Sequence, residues 1–362
     1  MNYALAFVGF CALIVLHELG HFTAAKLVGM RVEKFSLFFG RPLAKIQKGE
    51  TEYAVGWIPA GGYVRITGMN PTEEIPEEVA PRAYYRMPVW KRIVVIAAGP
   101  FVNIVIAFLI LWALLLANGT VTNTPVVSGQ DLGQPAARYL QPNDRVVSVD
   151  GVRGDPATIA RQVASHRCAG RQVDGCTAAT PARVVVERDG RLLTFEITPR
   201  YDGTRGIDRA RLGFSYEYAE RDVPAGEAAS LSVTGMWDVT TQTVRTFSKL
   251  FKEREREQLS GVVGTGETLK QGFDFSTERA LGILALISLS LAIINLFPFL
   301  PLDGGHIFWA VVEKLRGGRA VPFSVMEKAG AVGFVLVIML FFIGLSNDIG
   351  RIGDGTLGDI PR

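Results

Sequence analysis

Apolar residues fall in four long runs along the chain, and polar segments separate them. The runs cover approximately residues 3–29, 93–117, 280–302 and 329–345. The second run has 25 residues without a charge, which is long enough to cross a hydrocarbon core about 30 Å thick. The fourth, with 17 residues, is at the lower limit for a span. The pattern predicts a mainly helical membrane protein with four transmembrane helices.

Between the first two runs, the pattern changes to the short alternating segments that are typical of β-strands. Residues 32–38 and 52–58 form two such segments, and a third follows the Pro59-Ala60-Gly61-Gly62 break. We predict a β-hairpin at the membrane boundary. Its unpaired edge could accept an extended peptide as an added strand, or the hairpin could simply cover the first helix. Residues 70–81, with four glutamates among prolines, are predicted to be a flexible acidic loop.

The long polar segment between the second and third runs predicts a separate α+β domain. Residues 183–195 are typical of a hairpin with an Asp-Gly turn. Residues 135–151 predict a helix, a turn, a strand and a second turn, and they resemble the core of bacterial PDZ domains. Tyr139 and Asn143 stand where that pattern has glycines, which makes peptide binding by this domain uncertain.

A partly amphipathic helix is predicted for residues 230–259, ending in the charged run 252–257. A helix on the membrane surface and a solvated spacer both fit this pattern. The predicted organisation is then a first transmembrane helix, a hairpin with its loop, a second transmembrane helix, the PDZ-like domain, a helical segment, and the last two transmembrane helices. Their boundaries are 1–30, 31–91, 92–118, 119–229, 230–279 and 280–362.

Composition agrees with a membrane protein and charge predicts its orientation. Of the 362 residues, 48% are hydrophobic, and the mean hydropathy is +0.24. Eleven lysines and arginines lie between Lys26 and Arg92, and four more follow the third run. Because basic loops stay in the cytoplasm, both termini and the PDZ-like domain are predicted to be extracytoplasmic. The first run lacks a basic start and a cleavage site, so it is predicted to be retained. A net charge of +3 gives no reason to expect nucleic acid.

The first apolar run contains the candidate chemistry, His17-Glu18-Leu19-Gly20-His21. Residues four apart share one face of a helix, so His17 and His21 can bind one metal ion and Glu18 can act as general base. Chance occurrence on a surface helix is the ordinary explanation for such a motif. Each charged group costs roughly 2.5–3.5 kcal/mol at the centre of a membrane helix on insertion scales, so three ionisable groups together indicate function.

Two histidines leave a zinc site incomplete, because catalytic sites usually have three protein ligands. The third apolar run is broken by Pro298 and Pro301, and Asp303 follows directly. Such a break within a membrane is tolerated where the backbone is buried or lines a watery cavity. We predict Asp303 as the third ligand and His306 as a neighbour, although His306 is also chemically suited. A helix end capped by an aspartate is the ordinary explanation for this segment.

Two of the three cysteines, Cys168 and Cys176, fall in the PDZ-like domain. An oxidising compartment favours disulfides, so we predict that these two form a bond closing a short loop. Two free thiols are the alternative. Cys11, in the first run, is predicted to be a small buried apolar residue.

Three motifs in this order resemble the site-2 protease family of intramembrane metalloproteases: residues 17–21, 99–103 and 295–305. The four-helix layout, the hairpin and the PDZ-like domain extend the resemblance over nearly the whole chain. It looks closest to the bacterial branch that cuts membrane-anchored anti-sigma factors. The resemblance implies zinc held by His17, His21 and Asp303, with Glu18 as base. It also implies that Asn103 and Asn295 hold the unwound substrate.

The expected function is therefore hydrolysis of a peptide bond in or near the transmembrane segment of a single-span protein such as an anti-sigma factor. The expected location is the bacterial cytoplasmic membrane, with lipid as a partner and the site toward the cytoplasmic side. A metal transporter would also suit a broken helix with ligands at its midplane. It does not explain Glu18 beside two ligands. A non-catalytic PDZ scaffold is a third possibility, against which the intact motif argues.

Overall fold

A computed structural model describes residues 2–69, 73–129, 133–203, 209–248, 261–319 and 321–353. The chain divides into two compact units. The first, called here the helical unit, comprises Met1–Ala117 and Pro224–Arg362, and the second, the strand unit, comprises Asn118–Val223. The charged run 252–257, for which a helix was predicted, lies outside the described residues.

The α-helices of the described residues are numbered in chain order. They are α1 (Asn2–Leu27), α2 (Val89–Asn118), α3 (Pro156–Ala164), α4 (Ala225–Ser248), α5 (Val262–Phe275), α6 (Thr277–Asn295), α7 (Asp303–Leu315) and α8 (Phe323–Gly353). Four are long and apolar enough to cross a membrane, over Tyr3–Leu27, Val89–Asn118, Thr277–Asn295 and Ser324–Gly353. These correspond to the four predicted runs, so the chain is a membrane protein with mixed α and β structure.

The helices of the last two runs do not coincide with the limits of the apolar runs. Helix α6 ends at Asn295, in agreement with the predicted break in the third run, because Pro298 lacks an N–H and disfavours the helical conformation of the residue before it. Helix α8 has 31 residues where the apolar run has 17. Backbone hydrogen bonding continues through polar residues at both ends of the run, which a reading of hydropathy alone does not include.

Strands β1 (Val32–Lys48) and β2 (Thr51–Ile66) form the predicted antiparallel hairpin with an unexpected register. Residues 34–37 pair both with residues 52–55 and with residues 62–65. A strand has two edges, so these partners lie on opposite sides of residues 34–37. One strand assignment runs through the predicted break at residues 59–62, but the pairing direction reverses there: residue numbers rise together in the pairs of 34–37 with 52–55 and run oppositely in the pairs with 62–65. Register shifts and Gly61, at φ +142°, absorb the change of direction there.

In the acidic segment after β2, for which a flexible loop was predicted, Glu73 contacts the residues at the end of the strand. The Glu73 carboxylate accepts the Gly68 N–H at 2.9 Å and pairs with Arg65 at 3.0 Å. These contacts hold the pKa of Glu73 below its usual value, with the Gly68 hydrogen bond as the largest cause. Two short 3-10 turns, Ala80–Arg82 and Tyr84–Arg86, then lead into α2.

The strand unit contains an antiparallel sheet in the order β6-β5-β4-β3-β9. Its strands are β3 (Thr120–Val127), β4 (Arg145–Val149), β5 (Ala182–Arg188), β6 (Arg191–Ile197) and β9 (Tyr216–Arg221), and β7 (Arg200–Asp202) pairs separately with β8 (Arg209–Arg211). The hairpin β5–β6 has the predicted Asp189-Gly190 turn, with both residues at positive φ. Asn143, at φ +70°, adopts the left-handed conformation for which a glycine is usual, and asparagine tolerates it.

Hydrogen bonds and a disulfide hold the loops of the strand unit. Cys168 and Cys176 are joined with a sulfur–sulfur distance of 1.93 Å, while Cys11 in α1 is free and buried. The Asp150 carboxylate accepts the Arg183 N–H and the His166 Nε2–H, both at 2.8 Å. Burial acts to raise the pKa of Asp150, but these hydrogen bonds outweigh it and lower the pKa.

Candidate metal centre

Helix α1 brings His17 and His21 onto one face, as the spacing predicted. Both imidazoles are buried, with 6% and 7% of their surface exposed, and their Nε2 atoms are 3.2 Å apart. Asp303, the first residue of α7, completes a triangle. Its Oδ2 lies 3.2 Å from Nε2 of His17 and 3.3 Å from Nε2 of His21.

The geometry and chemistry of this triangle fit a zinc ion. Tetrahedral zinc with bonds of about 2.0–2.1 Å separates its ligand atoms by about 3.3–3.4 Å, close to the observed distances. The three atoms belong to the one group of candidate ligands found by proximity among the described residues. Asp303 Oδ2 is buried and has no hydrogen-bond partner among the described residues. A bound cation would stabilise this carboxylate oxygen, which faces two imidazole nitrogens and has no hydrogen-bond donor in the part of the chain that the structure describes.

Helix α2 fixes the orientation of His21. The His21 Nδ1 lies 2.9 Å from the Val95 carbonyl, which selects the tautomer with hydrogen on Nδ1 and leaves the Nε2 lone pair for a metal. The two helices approach closely, because a Cβ on Gly20 would lie 2.7 Å from the Ala98 carbonyl. A Cβ on Gly99 would overlap the His21 ring itself. Glycine at both positions is therefore required by the packing of α1 on α2.

The proline-containing loop between α6 and α7 delivers Asp303. Gly304 and Gly305 are buried in the first turn of α7. A Cβ on Gly304 would overlap the carbonyls of Leu296 and Phe297, and one on Gly305 would overlap the backbone near Leu300. The paired glycines thus let α7 begin directly against the loop, which brings its first carboxylate to the two histidines.

Glu18 lies beside Gly62 of β2, because a Cβ on Gly62 would lie 3.2 Å from the Glu18 Cγ. Glu18 is half-buried, in contrast to the two histidines. Its position next to His17 and His21 gives it access to a water at the same metal, where a carboxylate can accept and return a proton.

The other predicted site residues have different surroundings. His306 lies one turn beyond Asp303 in α7, outside the group of three, and borders a cavity of about 410 Å³. Asn103 is fully buried in α2, and both polar atoms of its side chain lack a hydrogen-bond partner within the described residues. The backbone carbonyl of Asn103 accepts a hydrogen bond from the Ser288 hydroxyl of α6 at 2.9 Å. Asn295 is the last residue of α6 and is half-buried.

Sequence reasoning assigned no role to Val95 or to the glycines that pack against His21 and Glu18. The Val95 contact uses a backbone carbonyl, so no side-chain pattern could reveal it. Glycine did leave a signal, since Gly62 and Gly99 lie in or next to the segments that carried the family resemblance. A glycine in a helix interior or a strand often marks close approach of another chain segment.

Comparison with known proteins identifies the family. The model of peptidase family M50 matches residues 5–340. Zinc metalloprotease Rip1 of Mycobacterium tuberculosis is 30% identical, and the alignment covers 92% of this chain and 93% of Rip1. Metalloprotease MmpA of Caulobacter vibrioides is 26% identical, covering 93% and 92%. Cj1068 of Campylobacter jejuni is 28% identical, covering 94% and 91%. The chain therefore belongs to peptidase family M50, the site-2 protease family, and is a membrane metalloprotease whose cofactor is zinc.

Proposed function

We propose that the chain is an intramembrane protease that cuts a peptide bond in or near the transmembrane segment of a single-span protein. The observation that carries this proposal is the triangle of His17, His21 and Asp303, with sides of 3.2–3.3 Å, beside Glu18. His17, Glu18 and His21 lie in an apolar helix that is long enough to cross a membrane. Ionisable groups in such a segment are costly and are retained for function.

His17, His21 and Asp303 would hold the zinc, and Glu18 would move the protons. Zinc, when bound, lowers the pKa of water to about 7 and polarises a carbonyl. Glu18 accepts the proton of the attacking water and then delivers it to the nitrogen of the leaving amine. The Val95 carbonyl keeps His21 in the tautomer that coordinates through Nε2.

The substrate must be presented as an extended chain, because a helix hides its carbonyls in internal hydrogen bonds. Within the part of the chain that the structure describes, residues 62–65 of β2 pair with residues 34–37 on one side only. Their other side can accept a substrate strand next to Glu18. The Asn103 amide, which has no partner among the described residues, offers a donor and an acceptor to unwound backbone, and Asn295 would act in the same way. Residues that break helices in the substrate should therefore favour cleavage.

The strand unit is proposed to be an extracytoplasmic PDZ-like domain that excludes substrates not yet trimmed outside the membrane. A cavity of about 490 Å³ lies between α3 and residues 209–218, lined in part by Arg161, Arg209 and Arg211. Its basic lining suits an acidic or C-terminal peptide group. Deletion of residues 121–218 should release cleavage of untrimmed substrate, and unchanged selectivity would argue against the size filter.

The biological setting is proposed to be regulated intramembrane proteolysis of an anti-sigma factor in the bacterial cytoplasmic membrane. The basic residues between Lys26 and Arg92 support an orientation with both termini outside and the metal centre toward the cytoplasm. Cysteine-substitution labelling from each side of intact cells would test this orientation. Labelling of the strand unit only after cell lysis would contradict it.

The proposed activity is tested with the purified full chain in detergent and a single-span substrate that carries a helix-breaking residue. Wild-type protein is compared with Glu18→Gln, and zinc content is measured in both. We expect cleavage by the wild type alone and one zinc per chain in each. Bound zinc with no cleavage by the wild type, over a panel of such substrates, would favour a transporter or a scaffold.

A further inference from the structure

Two consecutive basic residues in the first turn of α2 contact two other helices of the metal centre. Lys91 Nζ donates to the Val28 carbonyl, just beyond the end of α1, at 2.9 Å. Arg92 donates to both carboxylate oxygens of Glu313, near the end of α7, at 3.0 and 2.5 Å. The side chain of Arg92 is 9% exposed and that of Glu313 is 18% exposed.

The Arg92–Glu313 contact fixes the orientation of the two side chains. Paired hydrogen bonds between a guanidinium and a carboxylate fix orientation as well as distance. The guanidinium also lies 6.0 Å from the centre of the Tyr84 ring, which is itself buried. Removal of either charge would leave its partner buried and uncompensated, so the pair holds only when both members are present.

The helices joined in this way are those that provide the metal site. Helix α1 carries His17 and His21, and α7 begins with Asp303. One turn beyond Arg92, the α2 residue Val95 accepts the His21 Nδ1–H. Lys91 and Arg92 therefore connect the supports of all three proposed ligands through a single turn of α2.

We propose that Lys91 and Arg92 are positioning residues for zinc, a role that rests on the proposed ligand set. Glu313 lies ten residues beyond Asp303, about 15 Å along a rigid helix. A tilt of α7 by about 4° over that length would move the Asp303 end by about 1 Å. Metal–ligand distances tolerate only about 0.2 Å, so loss of the Glu313 contact would weaken zinc binding without removing a ligand.

The test measures the zinc dissociation constant of the full chain in detergent by competition with a chelator, together with the thermal midpoint. Arg92→Gln and Glu313→Gln should each weaken zinc binding by about tenfold, at the lower end of the loss known for groups that bond a metal ligand directly, because these two residues act on the ligands through helix position. Arg92→Lys keeps the charge but loses the paired geometry, so its affinity should lie between. Lys91→Met should act in the same direction as Arg92→Gln.

The matched control is Arg188→Gln in the strand unit. Arg188 donates to both oxygens of Asp144 at 2.7 Å, and Asp144 is 1% exposed. This variant should lower the thermal midpoint and leave zinc affinity unchanged. Zinc affinity within twofold of wild type in both Arg92→Gln and Glu313→Gln would overturn the proposal. A loss of affinity no greater than that of Arg188→Gln would also overturn it.

His17→Ala in the same titration separates this proposal from the ligand assignment. If His17→Ala loses tight zinc binding while Arg92→Gln keeps it, the ligand set stands and the positioning role fails. If His17→Ala keeps tight binding, the ligand assignment fails, and the positioning role fails with it. Loss in both variants, with Arg188→Gln unaffected, is the result that we expect.

Discussion

A single methyl group at Gly99 should disable the metal centre while leaving the helix that carries it intact. An ideal Cβ at this position would overlap Nε2, Cε1 and Cδ2 of the His21 ring. Closer approach of the helices would increase the overlap, and Gly20 of α1 is already against the Ala98 carbonyl. Separation of α1 from α2 would lengthen the hydrogen bond between His21 Nδ1 and the Val95 carbonyl. Gly99→Ala must therefore displace the His21 ring.

The size of the effect follows from this overlap. Restoring ordinary contact at about 3.5 Å requires a shift of the ring by roughly 1 Å. A misplacement of that size costs on the order of 100-fold in activity, and it exceeds the tolerance of metal–ligand distances about fivefold. Alanine in a helix interior is more favourable than glycine by roughly 0.5–1 kcal/mol. The variant should therefore keep its helical content while zinc binding weakens at least tenfold.

Gly235→Ala is the matched control, because a Cβ at Gly235 of α4 would meet nothing within 4 Å. Both variants are purified in detergent, and zinc affinity, circular dichroism and substrate cleavage are measured. We expect normal values for Gly235→Ala and loss of zinc and cleavage for Gly99→Ala. Wild-type zinc affinity and cleavage in Gly99→Ala would refute the close packing of α2 on His21.

Three further predictions concern other parts of the chain. Asn103→Leu should reduce cleavage without loss of zinc. It should also raise the thermal midpoint, because a buried amide without a partner among the described residues costs about 1–3 kcal/mol. A lower thermal midpoint would mean that the Asn103 amide has a hydrogen-bond partner in the folded protein. Cys168→Ser should destabilise the strand unit by about 2–3 kcal/mol, as estimated for a disulfide that closes a short loop. The thermal midpoint of the variant should equal that of wild-type protein whose disulfide has been reduced. The lowered pKa of Asp150 stabilises the folded state above about pH 4, and this contribution is lost as the pH falls further. The thermal midpoint of Asp150→Asn should therefore depend less on pH than that of wild type below about pH 4. An acid dependence equal to that of wild type would contradict this reasoning.

Two of the proposed metal ligands could be paired from the sequence because their spacing is set by local helix geometry. His17 and His21 meet on any helix, and the Pro298 and Pro301 break marked Asp303 as the end of an apolar run. The structure brings the three together at 3.2–3.3 Å. Asp303 was preferred to His306 because of its residue type and its position at the break. The structure leaves His306 outside the group of three.

The remaining features depend on distances between segments far apart in sequence. The residue types at 59–62 predict that the chain changes direction there, but they do not predict that residues on both sides of Gly61 pair with the same residues 34–37. Lys91 and Arg92 contributed to the charge bias that predicts topology, yet their contacts with Val28 and Glu313 arise only when the helices pack. Charge counts describe a loop and carry no information on its partners.

X-ray absorption at the zinc edge of the purified wild-type chain is the most direct test of the central claim. The proposed ligands His17, His21 and Asp303 require a spectrum with two imidazole nitrogens and oxygen neighbours at about 2.0–2.2 Å. The same spectrum is expected in Glu18→Gln, which should retain zinc and lose cleavage. Sulfur neighbours at about 2.3 Å, or wild-type protein that holds no zinc, would contradict this assignment of the metal centre.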